Sequence, residues 1–392
     1  MKHNKIKLAV AIALIIIPVC SGLMVAQPAS TAVPFLLISP NSRASAMGES
    51  GVSVADDASA AFWNPAGLGF QKGQEISLTY SKWLPQFQQA DLYYAFGAYR
   101  YNIPEIAGTV SGSFTFLNLG EFVRTSSDAR ELGTFRSYEF ALALSYGTEI
   151  TRDLGLGGGL RVIHSALSPV ATEQEIGSGK ATTIGVDIGV IYRPSRFVIP
   201  FTSTDIGNQI AFGASLTNFG PPIFYVDEAQ SDPIPTNLRL GFAADFVKSE
   251  FNQFTWTLDV NKLLISRTNL KADDPFTAIG KTWTTKANGD SKAFSDVIKE
   301  FTFGTGFEYW YSKIIALRAG YFYEDPGMGN RNFLTFGAGV RYDIYGFDFS
   351  YISDLSDEKS PLAETLRFTL QVNWDRGVPD DSQRNPADDS SN

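Results

Sequence analysis

From residue 75 to residue 374, apolar side chains recur at every second position in about fourteen separate segments. That period fits extended strands and no helix. The segments fall at 75–83, 91–101, 107–118, 135–147, 154–163, 181–192, 209–217, 237–246, 252–261, 301–311, 314–323, 332–342, 346–352 and 364–374. In the fourth, Tyr138, Phe140, Leu142, Leu144 and Tyr146 share one face, and Glu139, Ala141, Ala143 and Ser145 share the other. In the sixth, Ile184, Val186, Ile188, Val190 and Tyr192 oppose Thr183, Gly185, Asp187 and Gly189. The last sets Leu366, Phe368, Leu370, Val372 and Trp374 against Arg367, Thr369, Gln371 and Asn373.

A secreted β-sandwich or propeller also alternates, so alternation leaves soluble and membrane folds open. What separates them is that the polar faces carry small and charged residues, while aromatic residues end the apolar faces, as in lipid-facing strands. Composition agrees: 30 Phe, 16 Tyr and 35 Gly stand beside only 4 Met. No apolar run beyond the N-terminus reaches the ~20 residues of a membrane helix. Connection lengths give a separate test, because a barrel with both ends on one side alternates short inner turns with longer outer loops. The turns 102–106, 148–153, 247–251, 312–313 and 343–345 are short, and the loops 118–134, 164–180, 218–236, 261–300 and 353–364 are long. Two connections break the rule: 193–208 is a long inner turn with Pro194 and Pro200, and 84–90 is a short outer loop. The expected fold is all-β, a transmembrane antiparallel β-barrel of about fourteen strands with an N-terminal plug.

At the N-terminus, Lys2, Lys5 and Lys7 precede an apolar run from Leu8 to Val19 and a plausible cleavage point after Ala26. This is the layout of a secretory signal peptide, and the run is too short to span a bilayer. Cys20, the single cysteine, follows bulky Ile17-Pro18-Val19, which argues against a lipoprotein, and it leaves with the leader. Loss of the three leader lysines takes the net charge from −9 to −12, which disfavours nucleic acid as a partner. After Trp374, the segment 375–392 has no period, two prolines and an excess of acid over its two arginines, and reads as disordered. The expected division is 1–26 leader, 27–74 N-terminal segment and plug, 75–374 barrel, and 375–392 tail.

Between leader and first strand lies Ser39–Phe70, filled with small residues that let its backbone pack closely inside something. Gly48 and Gly51 permit positive φ, Asp56 and Asp57 can cap a helical turn through Phe62, and Asn64-Pro65 ends that turn. The run MGESGVSVADDASAAFWNPAGLGF resembles the N-terminal hatch of the FadL-type outer-membrane barrels, whose pattern runs MG..G..VA...DASA...NPAGL. The opening SPNSRASAMGESG, with PTNLRLG at 235–241, is similar to the PorV/PorQ branch of type IX secretion proteins. The resemblance implies a plug built on Asn64, Pro65, Ala66 and Gly67, a place in the outer membrane of a Gram-negative bacterium, and contact with its lipid. It also implies a non-enzymatic carrier or scaffold in type IX secretion, with translocon subunits and secreted proteins bearing C-terminal signal domains as partners. The alternative it leaves open is FadL-like transport of small hydrophobic molecules.

The inward faces of the strands carry Glu139, Asp187, Asp245, Asp259, Glu308 and Asp348 against Arg161, Arg239, Arg318, Arg341 and Arg367. Unpaired charges in such an interior are costly, so these pair with one another, contact the plug, or line a polar conduit. Of the two histidines, His3 belongs to the leader and His164 falls on an outer loop, beside Ser165. No catalytic residue, cofactor or metal site is expected. The glycines 155 and 157–159 sit in an alternating strand and open no helix, so they read as wall rather than phosphate cradle. The largest loop, 261–300, has weak helical spacing at 291–298, with Phe294, Val297 and Ile298 on one face. It is either a lid or docking surface, or a polar insertion.

Overall fold

The computed structural model describes residues 31–374, apart from 88–90, 127, 129, 169–178, 269–270, 287–288 and 356–360. The leader and the acidic tail lie outside the described residues. Sixteen strands occur in chain order: β1 (Gln74–Lys82), β2 (Tyr93–Ile103), β3 (Gly108–Thr125), β4 (Glu131–Thr151), β5 (Leu154–Ala166), β6 (Lys180–Tyr192), β7 (Ile210–Phe219) and β8 (Asn237–Lys248). They continue with β9 (Asn252–Leu263), β10 (Arg267–Thr268), β11 (Lys271–Ala272), β12 (Phe301–Tyr311), β13 (Ile315–Glu324), β14 (Asn332–Tyr342), β15 (Tyr345–Asp354) and β16 (Leu366–Trp374). All but β10 and β11, which form a small ribbon in the largest loop, close into one antiparallel barrel of fourteen strands. Closure runs through β1 and β16, from Gln74 opposite Trp374 to Ser81 opposite Arg367. No sheet edge is left there, which is what a bilayer requires of a strand protein.

The faces follow the period-two pattern. Leu142 and Leu144 are 51% and 67% exposed on the outside of β4, whereas Glu139 on the inside is 3% exposed. Apolar groups point to lipid and charges point in, the reverse of a soluble protein. Stacked and tilted aromatic pairs lie near both ends of the wall. At the outer end run Tyr80–Tyr93, Tyr93–Phe116 and Phe116–Tyr138, with centroids 5.8–6.1 Å apart. At the other end lie Tyr99–Trp374, Phe212–Phe242 and Phe254–Phe307.

Three expectations need correction. Most of the loop 118–134 is strand: β3 and β4 run on as a hairpin beyond a bulge at Asn118/Gly120, held by stacked Phe122 and Phe135. His164 is on β5, not on a loop; its ring lies 5.1 Å from Phe140, and Nδ1 is 2.8 Å from Thr182 Oγ1. Because neighbours in a strand face opposite ways, Ser165 turns inward to Glu139 and Tyr225 and does not meet His164. In the plug, Gly48 does take φ +68°, but Gly51 does not have positive φ; a side chain there would strike the Trp63 ring at 2.6 Å.

The plug fills the lower barrel with short helical turns at Ser42–Ser45 and Ala60–Trp63 and a 3₁₀ turn at Pro65–Phe70. Its residues 33–38 reach the outer end, where Val33, Phe35 and Leu36 join Tyr94, Leu117, Ile163, Ile223 and Ile234 in a buried cluster. Wall glycines make room for it. A Cβ on Gly157 would sit 2.3 Å from the Pro65 carbonyl carbon, and one on Gly320 2.1 Å from Gly48 N. Gly155 and Gly157 of β5 are therefore the surface on which Pro65 and Ala66 rest.

Candidate functional site

The plug motif begins at Asn64, whose extended backbone (φ −160°) stops the helical turn before Pro65. Its side chain then makes four bonds, one of them from Nδ2 to Ala214 O at 3.3 Å. Oδ1 accepts from Ala66 N at 3.1 Å, and Nδ2 donates to Val190 O at 3.0 Å and Val52 O at 3.2 Å. Gly67 is required by contact: a Cβ would meet Ala55 O at 2.0 Å. The expected cap at Asp56 and Asp57 is only half present. Asp57 accepts from Ser59 N at 2.8 Å, while Asp56 turns away to pair with Arg43.

That arginine organises the lower lumen. Arg43 donates through Nε and Nη2 to Glu308 at 2.9 and 2.8 Å, and Arg318 Nε donates to the same carboxylate at 2.6 Å. Arg318 Nη1 continues to Asp348 at 2.7 Å, and Arg341 Nη2 reaches Asp348 at 2.6 Å. Acid and base alternate from Asp56 on the plug to Arg341 on β14. A desolvated charge is tolerable only with such partners. Elsewhere Asp259 accepts from the plug amides of Gly51 and Val52 at 2.7 and 2.9 Å. Arg161 pairs with Asp187 at 2.8 Å, and Arg367 donates to Ser45 Oγ. Asp245 sits at the inner mouth, bonded to Thr255 at 2.6 Å and 3.6 Å from Lys248.

Arg367, 1% exposed, keeps Nε and Nη2 unbonded beside its bond to Ser45, and two further inward residues stand apart. Among the described residues Glu139 has no ion pair, and it accepts a hydrogen bond from Ser165 at 2.7 Å. Arg239, 3% exposed, has no acidic partner within ion-pair range and an unbonded Nε; its guanidinium lies 4.9 and 5.0 Å from the Phe62 and Trp63 rings. Both border an outward-opening cavity of about 1400 Å³, walled by Val33, Phe35, Trp83, Leu117, Tyr225 and Phe322. Glu49, Lys262, Glu300, Glu324 and Arg331 also line it. A second cavity of about 270 Å³ lies at the inner mouth, beside Arg43, Phe70 and Arg193. The plug separates the two.

Over the outer cavity folds the loop between β9 and β12. Buried Lys262 pairs with Glu300 and lies 5.0 Å from the Trp283 ring, so the two ends of the loop are pinned to the rim. Its first helix, Pro275–Lys281, starts at Asp274, whose carboxylate accepts from Phe276 N and Thr277 N at 3.1 and 3.0 Å. The second, Phe294–Lys299, falls where the helical spacing indicated, but only Val297 of its apolar face is buried; Phe294 is 79% exposed. Burial pushes the Asp273 carboxyl up, but hydrogen bonds from Ser266, Thr268 and Lys281 outweigh it and hold it below the ordinary carboxylate range.

Sequence reasoning missed Arg43, the buried pair Glu75–Arg100 (3.1 Å), and the rim groups Lys262 and Glu300. Glu75 and Arg100 face each other in the β1–β2 register and share the inward parity, which was a usable signal. Arg43 had a weaker one, as the only charge among the small residues of SPNSRAS. For the first loop helix the signal was Asp274-Pro275, an N-cap followed by proline at the first helical position.

The described residues form a closed fourteen-strand antiparallel barrel with a plug threaded from its N-terminus, the fold of a transmembrane β-barrel. The family model described as type IX secretion system protein PorV matches residues 25–270, and the chain belongs to that family. That family is one of type IX secretion proteins. Among solved structures, a deltaS2 mutant of the monoaromatic hydrocarbon channel TodX is 13% identical, with 86% of this chain and 97% of that one covered and a TM-score of 0.50. The Ralstonia pickettii toluene transporter TbuX is 14% identical over 85% of this chain and 98% of its own, with a TM-score of 0.49. The Pseudomonas putida toluene transporter TodX is 12% identical over 89% and 98%, at 0.48. At such identities the likeness concerns fold alone. No curated protein matches the chain.

Proposed function

We propose that the protein is a non-enzymatic carrier or scaffold of type IX secretion, which holds secreted proteins through their C-terminal signal domains at its outer face. In this reading residues 1–26 are removed on export and the plug stays in place. The observation that carries it is the alternating chain from Asp56 through Arg43, Glu308, Arg318 and Asp348 to Arg341, which bonds plug to wall. A lumen shut by buried ion pairs suits a protein whose partners bind outside it, since a folded domain does not fit through a barrel of this strand number filled by side chains. Translocon subunits are the other expected partners. Pull-down from detergent-solubilised outer membranes tests this: secreted proteins and translocon subunits should co-purify.

A second reading has its own observation, the apolar walls of the outer cavity with the unpaired Arg239 at its edge. These suit a small hydrophobic or amphiphilic molecule. Recovery of bound fatty acid or alkane from the same preparation, without protein partners, would favour it.

A further inference from the structure

The connection from Tyr192 to Ile210 is the one long turn on the periplasmic side, and it is built rather than slack. Ile199 N donates to Thr204 O at 3.0 Å and Ile206 N to Phe197 O at 2.8 Å, and Val198 bridges Asp205. The Asp205 carboxylate accepts from Phe197 N and Gly207 N, each at 2.9 Å. At the base, Asn208 N donates to Pro194 O and Arg193 N to Asp153 O, both at 2.7 Å. The result is a short hairpin fastened to the barrel rim.

One side of its tip, Pro200-Phe201, is apolar and uncovered, beside exposed Thr202 and Ser203. Val198 and Pro200 are exposed, and Phe201 is fully exposed, in a left-handed backbone (φ +64°) that bulky residues rarely adopt. The hairpin also continues the lipid-facing surface. The Phe197 ring is 6.4 Å from Phe212, which leads through Phe242 at 5.2 Å and Trp256 at 5.7 Å to Phe246 at 6.3 Å. This row is the inner aromatic band on the outside of β7, β8 and β9, and such bands sit at the level of the lipid headgroups. A hairpin joined to that band starts at the membrane surface, and acyl chains offer Phe201 the surroundings that water denies it.

We infer that hairpin 197–206 is a lipid-binding foot, with Val198, Pro200 and Phe201 inserted into the phospholipid of the periplasmic leaflet. It extends the barrel's grip on the membrane beyond its own wall, on one side only. The inference needs the barrel to be in a membrane and is independent of the secretion reading.

The test uses full-length protein in vesicles of phosphatidylethanolamine and phosphatidylglycerol. A nitroxide is attached at Phe201→Cys, Ser203→Cys or the wall position Leu142→Cys, in a Cys20→Ser background that leaves no other thiol. Collisions with oxygen and with a water-soluble nickel chelate are then compared. The label at position 201 should match position 142, with oxygen favoured and nickel access lost, while position 203 keeps nickel access. With Phe201→Asp added, a label at Val198→Cys should regain nickel access although the barrel stays heat-modifiable on gels. Nickel access at 201 equal to that at 203 overturns the inference. So does shielding at 201 that appears only after a soluble periplasmic extract is added, since the hairpin would then dock a protein.

Discussion

The two halves of the lumen handle charge in opposite ways. Below, Arg43, Glu308, Arg318 and Asp348 lie within hydrogen-bond distance of one another, and glycines such as Gly157 and Gly320 let the plug backbone touch the wall. Above, Arg239 and Glu139 lack ion-pair partners, the cavity is open, and the loop over it shows Phe276 and Phe294 to solvent. Complete pairing makes a seal; incomplete pairing beside apolar surface makes a place for something to bind. The same inward-pointing residue types thus do two jobs, and what divides them is whether an opposite charge lies within reach.

The contrast breaks most visibly at Glu308. Glu308→Ala leaves Arg43 and Arg318 buried with one acid fewer, an expected loss of about 3–5 kcal/mol, as when one partner of a buried pair is removed. Denaturant titration and planar-bilayer recording should show a less stable protein that now conducts; an unchanged, silent barrel would mean that the ion-pair chain does not hold the plug. Next comes the wall. Leu142→Arg or Ile188→Arg should destabilise by about 2–4 kcal/mol near mid-membrane. Glu139→Gln on the opposite face, which can keep its bond from Ser165, should cost less. Equal effects in heat-modified gel mobility would mean that the faces differ less than their exposure suggests.

The smallest effect concerns the outer loop and acid. The folded Asp273 carboxyl titrates below its ordinary value of 3.8, so the stability it contributes is present above that pH and is lost as pH falls through the folded value. Pepsin should cut the 264–300 loop more readily as pH drops below 3.8, and Asp273→Asn should remove the dependence. A pH profile unchanged by that substitution would assign the loop's order to other contacts.

Much of this was legible because a barrel wall is written in a local code. Alternation in segments such as 135–147 and 181–192 fixes which side of Leu142 or Ile188 meets lipid, and the NPAG motif marks the plug. What stayed hidden depends on pairs far apart in the chain. Arg43 meets Glu308 only because the plug lies against β12, and nothing near residue 43 records that. His164 was misplaced because a strand that passes beyond the membrane keeps no hydrophobic pattern to mark its end. The hairpin at 197–206 likewise rests on backbone bonds whose partners composition does not name.

Binding at the outer face, with the lumen shut, is what the proposed carrier role requires of this protein. Its most direct test is co-purification of secreted proteins with a variant shortened across 271–293, whose ends remain pinned by Lys262 and Glu300. The expected outcome is an assembled, heat-modifiable, non-conducting barrel that no longer retains secreted proteins. Retention at the level of the full-length protein would contradict it.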